Sequence, residues 1–398
     1  MLIEEKNYPF RFIAFASLFF AAIFIIENLN HRFWLNDFKV YYSAAQAFLN
    51  GEKIYGVPFG LETGFYKYSP FVLLLFTPDS LLPYEAAAII HFIALSASAI
   101  ACILVMNKIL GRYVFQKQHE KENLLMSAAI VCIAIHLVRE LHLGNVNVII
   151  LLLLAYALLF MLEEKYSLSG ILIAFAVLLK PYFLVVLIPV ILFRKWKVCL
   201  WFVSGLVLSD IICALVFGYE KHLVLYSEWL ESVSAHGSYL QSSHTIQSLL
   251  QNYFNAHLNN FSLVIIAAVA VLFAILLIAA QSRHKKETSG AAKNTILTAG
   301  YFSLIAIVPN LVITDTEHFL LSLPLIMILL YFISLRQNKF LAIIFLVVIF
   351  FFGANSTDLL GKALSLKFDT LGLLGISNLI LISAVTCLFL FSHKTIKQ

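Results

Sequence analysis

Charged residues are scarce in this chain: Asp, Glu, Lys and Arg make up only 12% of its 398 residues. A water-soluble domain carries about 25%, so the sequence has roughly half the charge needed to cover a surface that faces water. Hydrophobic residues make up 61% and are grouped in runs close to the length of a membrane-spanning helix. The composition excludes an ordinary soluble protein and predicts an all-α, polytopic transmembrane helical bundle.

The sequence also lacks the motifs that bind nucleotides, structural metals or nucleic acids. The five cysteines lie in or beside apolar runs without a C-x-x-C pair, which argues against a disulfide framework and a zinc site. No G-x-G-x-x-G or G-K-[ST] fingerprint is present. His236, His244 and His257 are spaced too widely to resemble a compact ligand set. We therefore expect no cofactor, although a divalent cation stays possible, and no nucleic-acid partner.

The apolar runs predict about twelve spans. They lie at 9–27, 84–109, 124–140, 145–162, 167–180, 182–193, 198–218, 261–280, 294–313, 319–334, 340–354 and 371–391. Of the 27 Lys and Arg residues, eighteen fall in the segments on one side of this arrangement and eight on the other. The positive-inside rule therefore predicts that both termini are cytoplasmic and that the longer, polar loops are extracytoplasmic.

Two stretches leave the span count open by one or two. Residues 69–82 are apolar but short and are interrupted by prolines, so we expect a re-entrant or interfacial piece buried by protein. The pair 167–180 and 182–193 is also short, and Lys180-Pro181 at its apex suggests a hairpin of shallow helices.

The first loop contains a short amphipathic segment, Asn36 to Gly51, with Asp37 at its start. Apolar side chains from Phe38 to Leu49 recur at helical spacing, and Gly51 is a typical helix end. The pattern predicts a helix that lies in the membrane interface. Asp37 has two interpretations: it caps this helix, as Asn36 could equally do, or it acts as a general base for a sugar hydroxyl.

Other polar residues on the same predicted side have a structural and a functional interpretation. Tyr66 and Tyr68 are either interface anchors or the lining of a headgroup or glycan site. Arg139 could pair with Glu140 or bind a phosphate, and Asn145 and Asn147 could merely cap the next helix. Lys180 lies within an apolar stretch, where it either extends toward headgroups or has a function.

Two further segments complete the candidates. The loop 219–260 contains His244 and Gln247, and most of it is predicted to be a solvated loop. The turn from Asp315 to His318, with Glu317 between them, could hold a divalent ion, form an acid–histidine pair or cap the next helix.

In order along the chain, these segments resemble glycosyltransferase family 87, whose members are integral-membrane enzymes of the GT-C fold. The resemblance rests on NDFKVYYSAAQAFLNGEKIYG, YKYSPF, GNVNVIILLLL, SGILIAFAVLLKPYFLVVLIPVILFRKWK, HTIQSLL and TDTEHFLLSLPLIMIL, between about residues 36 and 330. The family often has Gln at the position of Asn145 and Asn near His244, so substrate contacts differ there.

The resemblance implies an inverting hexosyltransferase, typically an α-mannosyltransferase, that uses a polyprenyl-phosphate sugar on the extracytoplasmic face of the cell membrane. The acceptor would be a glycolipid or a cell-envelope glycan. Asp37 would be the base. The substrate-binding candidates are Tyr41, Tyr66, Tyr68, Arg139, Asn145, Lys180, His244, Gln247 and His318. Asp37 has no second acid until Glu52, which favours a base over a metal ligand.

The resemblance predicts a single integral-membrane domain, residues 1–398. Its core module would span about 1–330, with the first loop at 28–83, and variable spans would follow from about 335 to 398. The alternative function is a transporter or flippase of lipid-linked glycans, and a third is a relative that binds glycolipids without catalysis. Against transport, the sequence has no visible inverted repeat and no second intramembrane charge to pair with Lys180.

Overall fold

The computed structural model describes residues 9–60, 64–117, 119–235, 242–255, 262–283 and 290–391. Within these ranges most of the backbone is helical, and the only extended pairing is an isolated bridge between Pro58 and Phe65. The α-helices are α1 Phe10–Leu29, α2 Asn36–Leu49, α3 Pro70–Phe76, α4 Tyr84–Ile109, α5 Glu122–Cys132, α6 Ala134–Leu143, α7 Asn147–Leu162, α8 Tyr166–Leu179, α9 Leu187–Leu192, α10 Trp196–Phe217, α11 Tyr219–Ala235, α12 Ile246–Phe254, α13 Ser262–Arg283, α14 Gly290–Ala306, α15 Val308–Leu311, α16 Leu323–Arg336, α17 Lys339–Phe352, α18 Thr357–Thr370 and α19 Leu373–Phe391. The all-helical prediction is confirmed.

Short helical segments of other types join several of these helices. A π-helical turn, Leu110–Val114, extends α4, and 3₁₀ segments occupy Asp79–Leu81, Pro181–Val186 and Thr316–Ser322. The last of these runs directly into α16, so that Thr316–Arg336 forms one apolar rod of 21 residues. Its neighbours bury most of this rod, and α16 lies in the core of the bundle together with α4, α5 and α14.

Each predicted span coincides with a helix or a broken pair of helices, but few of these are long. In the described part of the chain, four helices have the length and composition to cross a membrane, or up to six if each bent pair counts as one span. One bent pair is α5 with α6, which meet at 64° within the predicted span 124–140. The multi-pass helical character is supported, and the number of twelve crossings stays a prediction.

The two ambiguous stretches form short helices. Residues 69–82 contain only α3 and the 3₁₀ segment Asp79–Leu81. At about 1.5 Å per residue the seven residues of α3 reach roughly 10 Å, far less than a bilayer core of about 30 Å. The chain also breaks at Lys180, between α8 and the segment Pro181–Val186, as the sequence predicts.

Two segments that the sequence assigns to loops are partly helical. Residues 219–235 form α11, which packs against the first loop: the indole Nε1 of Trp229 donates to the Lys67 carbonyl at 2.9 Å. Residues 357–370 form α18, interrupted at Gly361, where φ is +73°. Both helices contain too many polar residues to be recognised as apolar runs in the sequence, and contacts with other parts of the protein hold them in place. His236 and His257, whose spacing argued against a metal site, lie outside the described residues.

Candidate functional site

The start of α2 lies over the turn between α6 and α7. Gly144 ends α6 with φ +69°, and a Cβ atom at this position would lie 2.9 Å from the Phe38 Cβ. His91 supports the contact, because its Nε2 lies 2.9 Å from the Gly144 carbonyl oxygen and its ring stacks on Phe38. A residue without a side chain is therefore required where the two backbones meet.

This contact brings Asp37 against Asn145. The Asn145 Nδ2 atom donates to the Asp37 Oδ2 atom at 2.8 Å. Asp37 sits inside the first turn of α2, which begins at Asn36 after a left-handed Leu35, and no side chain caps the helix. The interpretation of Asp37 as a helix cap is wrong, since its carboxylate bonds to a side chain 108 residues away.

Lys180 forms the centre of a buried polar cluster. Its ammonium group donates to Asn147 Oδ1 at 2.6 Å, to His318 Nε2 at 2.9 Å and to Asn145 Oδ1 at 3.3 Å. These three acceptors match the three hydrogens that an ammonium group can donate. Because Lys180 is 8% exposed, the alternative in which it extends toward lipid headgroups is wrong.

Two fully buried carboxylates flank this lysine. Glu140 accepts from Asn147 Nδ2 at 2.8 Å and from the Val148 backbone nitrogen at 3.0 Å. Glu317 lies close to the next residue, with Oε1 3.2 Å from His318 Nδ1. The sequence argument that Lys180 has no second buried charge nearby is therefore wrong, and it does not weigh against transport.

Arg139 joins the cluster from its rim. Its Nε donates to Glu317 Oε2 at 3.1 Å, and a terminal nitrogen lies 3.7 Å from Asp315 Oδ1. The predicted pairing of Arg139 with Glu140 does not form, because consecutive residues on an α-helix point about 100° apart. The Arg139 side chain is 48% exposed, so its guanidinium is the cation of the cluster that is most open to a ligand.

His318 is held by both of its ring nitrogens. The Lys180 ammonium can only donate, so His318 accepts at Nε2 and carries its proton on Nδ1. That proton faces the Glu317 carboxylate and the Asp315 carbonyl oxygen, each at 3.2 Å. The acid–histidine pair predicted for the 315–318 turn therefore forms between Glu317 and His318, and the Asp315 side chain does not cap the following segment.

The Asp37 carboxyl has an unusual proton affinity. Burial raises its pKa from 3.8 to about 7, and the nearby negative charge of Glu317 adds to the rise, while Lys180 opposes it. Asp37 Oδ1 accepts no hydrogen bond from the described residues. A half-buried carboxylate with one free oxygen and a pKa near neutrality can accept a proton from a hydroxyl group.

The tyrosines of the first loop form a buried wall beside this carboxyl. The hydroxyl groups of Tyr41 and Tyr68 share a hydrogen bond of 2.8 Å. Burial raises the pKa of Tyr68 well above its usual range, and the charge of Asp37 adds to that rise. The Tyr66 ring lies 5.8 Å from that of Tyr68 and is fully buried. These rings pack inside the protein instead of anchoring its surface.

His244 and Gln247 belong to a second polar group behind the 316–322 segment. The His244 Nε2 atom lies 2.9 Å from Asp369 Oδ1, and its ring meets Phe319 edge to face at 5.7 Å. Gln247 is half-buried in the first turn of α12. The described contacts of His244 therefore tie α12 and α18 to the residue after His318, which is a supporting position.

Four residues of the cluster have an interpretation in the sequence but are not among the predicted catalytic and substrate-binding residues: Glu140, Asn147, Asp315 and Glu317. Each lies within three positions of a predicted site residue, so the sequence identified the segments but not which of their side chains face the cluster. The sequence does show a high density of polar residues where α6 ends, where α7 begins and just before α16. Burying an acid there without a partner would be costly, so these residues could have been expected to pair with one another.

The two fully buried carboxylates of the cluster use their oxygens on protein donors, which leaves them little capacity to bind a metal ion. Glu140 is bonded by Asn147 and Val148, and Glu317 by Arg139 and His318. Within the described ranges, no group of three or more His, Cys, Asp or Glu residues is placed to hold a metal. Metal independence stays a prediction that chelation can test.

Comparison with known proteins identifies the chain's relatives. The sequence model of glycosyltransferase family 87 matches residues 65–309, which is more than half of the chain. The match does not include Asp37 or the turn with Glu317 and His318. An alpha-(1->3)-arabinofuranosyltransferase of Corynebacterium glutamicum is 26% identical over 174 residues, which are 42% of this chain and 41% of the relative. The chain thus spans about two-fifths of the length of that relative. With the family model covering α3 through α14, this multi-pass helical protein belongs to glycosyltransferase family 87.

Proposed function

We propose that this membrane glycosyltransferase transfers a sugar from a polyprenyl-phosphate donor to a hydroxyl group of a glycolipid or cell-envelope glycan. The reaction would take place at the extracytoplasmic face of the cell membrane. The observation that carries the proposal is the Asp37 carboxyl, which has a pKa of about 7 and is held by Asn145 in a family 87 chain.

The proposed reaction is a single displacement with inversion. The acceptor hydroxyl gives its proton to Asp37, and its oxygen forms a bond with the anomeric carbon. The bond between that carbon and the phosphate oxygen breaks, and the electron pair leaves with the polyprenyl phosphate. A base of pKa near 7 suits this step because it is both substantially ionised and basic enough at neutral pH.

Arg139 is the candidate that best suits the leaving phosphate. Its guanidinium is exposed for about half of its surface and presents several N–H donors in a fixed plane. Lys180 and His318 are already bonded to protein acceptors, so we assign them the task of holding Asn145 and Glu317 in place. Of the three basic residues predicted to bind substrate near Asp37, which are Arg139, Lys180 and His318, we therefore propose Arg139 for the phosphate.

The donor sugar has two candidates. The resemblance of the sequence to mannosyltransferases favours mannose, and the name of the corynebacterial relative introduces a pentofuranose. We retain mannose as the first proposal and arabinofuranose as the second. Both are tested by the same assay.

The experiment is the substitution Asp37→Asn in proteoliposomes that contain an acceptor extract. Polyprenyl-phosphate mannose and polyprenyl-phosphate arabinofuranose, each radiolabelled in the sugar, are supplied as separate donors. Loss of the base should lower the transfer rate by about 10²-fold or more. Asp79→Asn is the matched control, because Asp79 lies in the same first loop on the separate segment Asp79–Leu81.

Transfer at the wild-type rate by the Asp37→Asn variant would exclude Asp37 as the base. If the wild-type protein moves a labelled lipid across the membrane and forms no glycosidic product, the transporter alternative is correct.

A further inference from the structure

Buried hydroxyl groups without a hydrogen-bond partner are concentrated in segments near Asp37 and the polar cluster around Lys180. Seven buried side-chain hydroxyls in the described part of the chain have no hydrogen-bond partner there, and five of them come from three segments that border the cluster. These five are Tyr66, Ser69, Tyr182, Thr314 and Thr316. A buried hydroxyl without a partner costs about 1–3 kcal/mol, so such a concentration requires an explanation.

Local structure does not supply the missing partners. Ser69 precedes α3 in the position where serine normally caps a helix, yet its side chain makes no capping bond. Tyr66 is fully buried. Thr314 and Thr316 flank Asp315, whose carboxylate lies 3.7 Å from a terminal nitrogen of Arg139. Tyr66 and Ser69 thus lie in the first loop on either side of Tyr68, and Thr314 and Thr316 lie in the turn that contains Asp315.

Tyr182 lies in the 3₁₀ segment Pro181–Val186. It follows Lys180-Pro181, and the extended conformation that a residue before proline prefers is present at Lys180, with φ −142° and ψ +106°. The charges of Glu317 and Glu140 act on the Tyr182 hydroxyl, and Tyr182 in turn acts on Tyr68. The Tyr182 hydroxyl oxygen is thus buried close to the charged residues and has no hydrogen bond within the described chain.

We propose that Tyr182 is a specificity-determining residue whose hydroxyl bonds to a hydroxyl group of the transferred sugar. A sugar provides both donors and acceptors, which is the chemistry that several unpaired hydroxyls can satisfy at once. Discrimination follows, because a sugar without the matching hydroxyl leaves Tyr182 unpaired. The inference rests on the proposed function and adds the residue that distinguishes one donor sugar from another.

The test compares Tyr182→Phe with Tyr301→Phe, each of which removes one buried phenolic oxygen. Tyr301 is the matched control because its hydroxyl donates to the Leu154 carbonyl at 3.2 Å within the core of the bundle. Loss of that bond should lower the thermal midpoint and leave transfer unchanged. Loss of the Tyr182 hydroxyl should leave the thermal midpoint unchanged or raise it, and should lower kcat/KM about tenfold.

Ligand-induced thermal shifts make the test specific for the sugar. The purified protein is heated with polyprenyl phosphate, polyprenyl-phosphate mannose or polyprenyl-phosphate arabinofuranose. Polyprenyl phosphate should raise the thermal midpoint of the wild-type protein, and one of the two sugar-carrying lipids should raise it further. Tyr182→Phe should keep the rise caused by the phosphate and lose the additional rise caused by the sugar.

The outcomes separate the two proposals. If Tyr182→Phe keeps the full sugar increment and the wild-type kcat/KM, the role of Tyr182 is wrong and the proposed function stands. If the increment is lost but Asp37→Asn transfers normally, the base assignment is wrong and the Tyr182 contact stands. If none of the three lipids raises the thermal midpoint of the wild-type protein, both proposals are wrong.

Discussion

The proton affinity of Asp37 leads to a pH profile that can be calculated from its surroundings. A carboxyl with a pKa of about 7 is roughly one-tenth ionised at pH 6 and nine-tenths ionised at pH 8. If Asp37 is the base, kcat/KM should therefore rise about tenfold between these values and level off above them. An aspartate with the ordinary value of 3.8 would give a flat profile over the same range.

Glu317 supplies the perturbation that tests this reasoning. Its negative charge is the largest contribution to the raised Asp37 pKa after burial. Glu317→Gln removes that charge, so ionisation of Asp37 becomes easier and the acid limb of the profile should move to lower pH. The variant also removes the charged partner of Arg139 Nε and leaves Arg139 paired with Asp315.

The assay is initial-rate transfer from saturating and sub-saturating labelled donor at half-unit steps from pH 5.5 to 9. Glu163→Gln is the control: Glu163 forms ion pairs with Lys108 and Lys165 near the end of α7 and should leave the acid limb in place. A wild-type profile that is flat between pH 6 and 8 would refute the argument, as would an acid limb that Glu317→Gln moves to higher pH.

Four further outcomes are expected. Lys180→Met removes three hydrogen bonds from buried acceptors and should destabilise the protein by about 3–5 kcal/mol, measured as a lower thermal midpoint; an unchanged midpoint would contradict the central role of Lys180. Gly144→Ala should lower both stability and transfer, since its Cβ would contact Phe38 at 2.9 Å; Gly51→Ala, with a similar φ of +74° and nothing within 4 Å, carries the backbone strain alone and should be milder. Chelation with EDTA should leave transfer unchanged, and a loss reversed by Mg²⁺ or Mn²⁺ would show that a cation is required. Lys39→Cys, exposed on α2, should react with an impermeant reagent added from outside intact cells, and labelling from the cytoplasm alone would invert the proposed topology.

Hydropathy predicted the helices because burial in a bilayer or a protein core requires long apolar runs. The predicted span 84–109 coincides with α4, and 340–354 differs from α17 by two residues at most. Hydropathy could not show that residues 124–140 bend by 64° near Ile133, because backbone direction depends on packing. It also missed α11 and α18, whose polar faces give no apolar run.

The candidate site was predicted as a set of segments and not as a set of contacts. Asp37, Arg139, Asn145, Lys180 and His318 do meet, because all lie at helix ends that the topology brings together. Which side chains pair could not be read from the sequence. That depends on how α6 is rotated about its axis, and the rotation places Arg139 toward the 316–322 segment and Glu140 toward Asn147.

The link that Asn145 makes between Asp37 and Glu317 also has a consequence for synthesis. Asp37 and Glu317 are 280 residues apart, which at about 5–20 residues per second separates their synthesis by about 14–56 s. During this interval the nascent chain already contains Asp37, Asn145 and Lys180 but not the two partners that Lys180 and Arg139 receive from the later segment. The contacts with Glu317 and His318 can therefore form only after the chain has been synthesised past these residues, and a ribosome-bound chain that stops before residue 316 would leave Arg139 without Glu317 and Lys180 without His318.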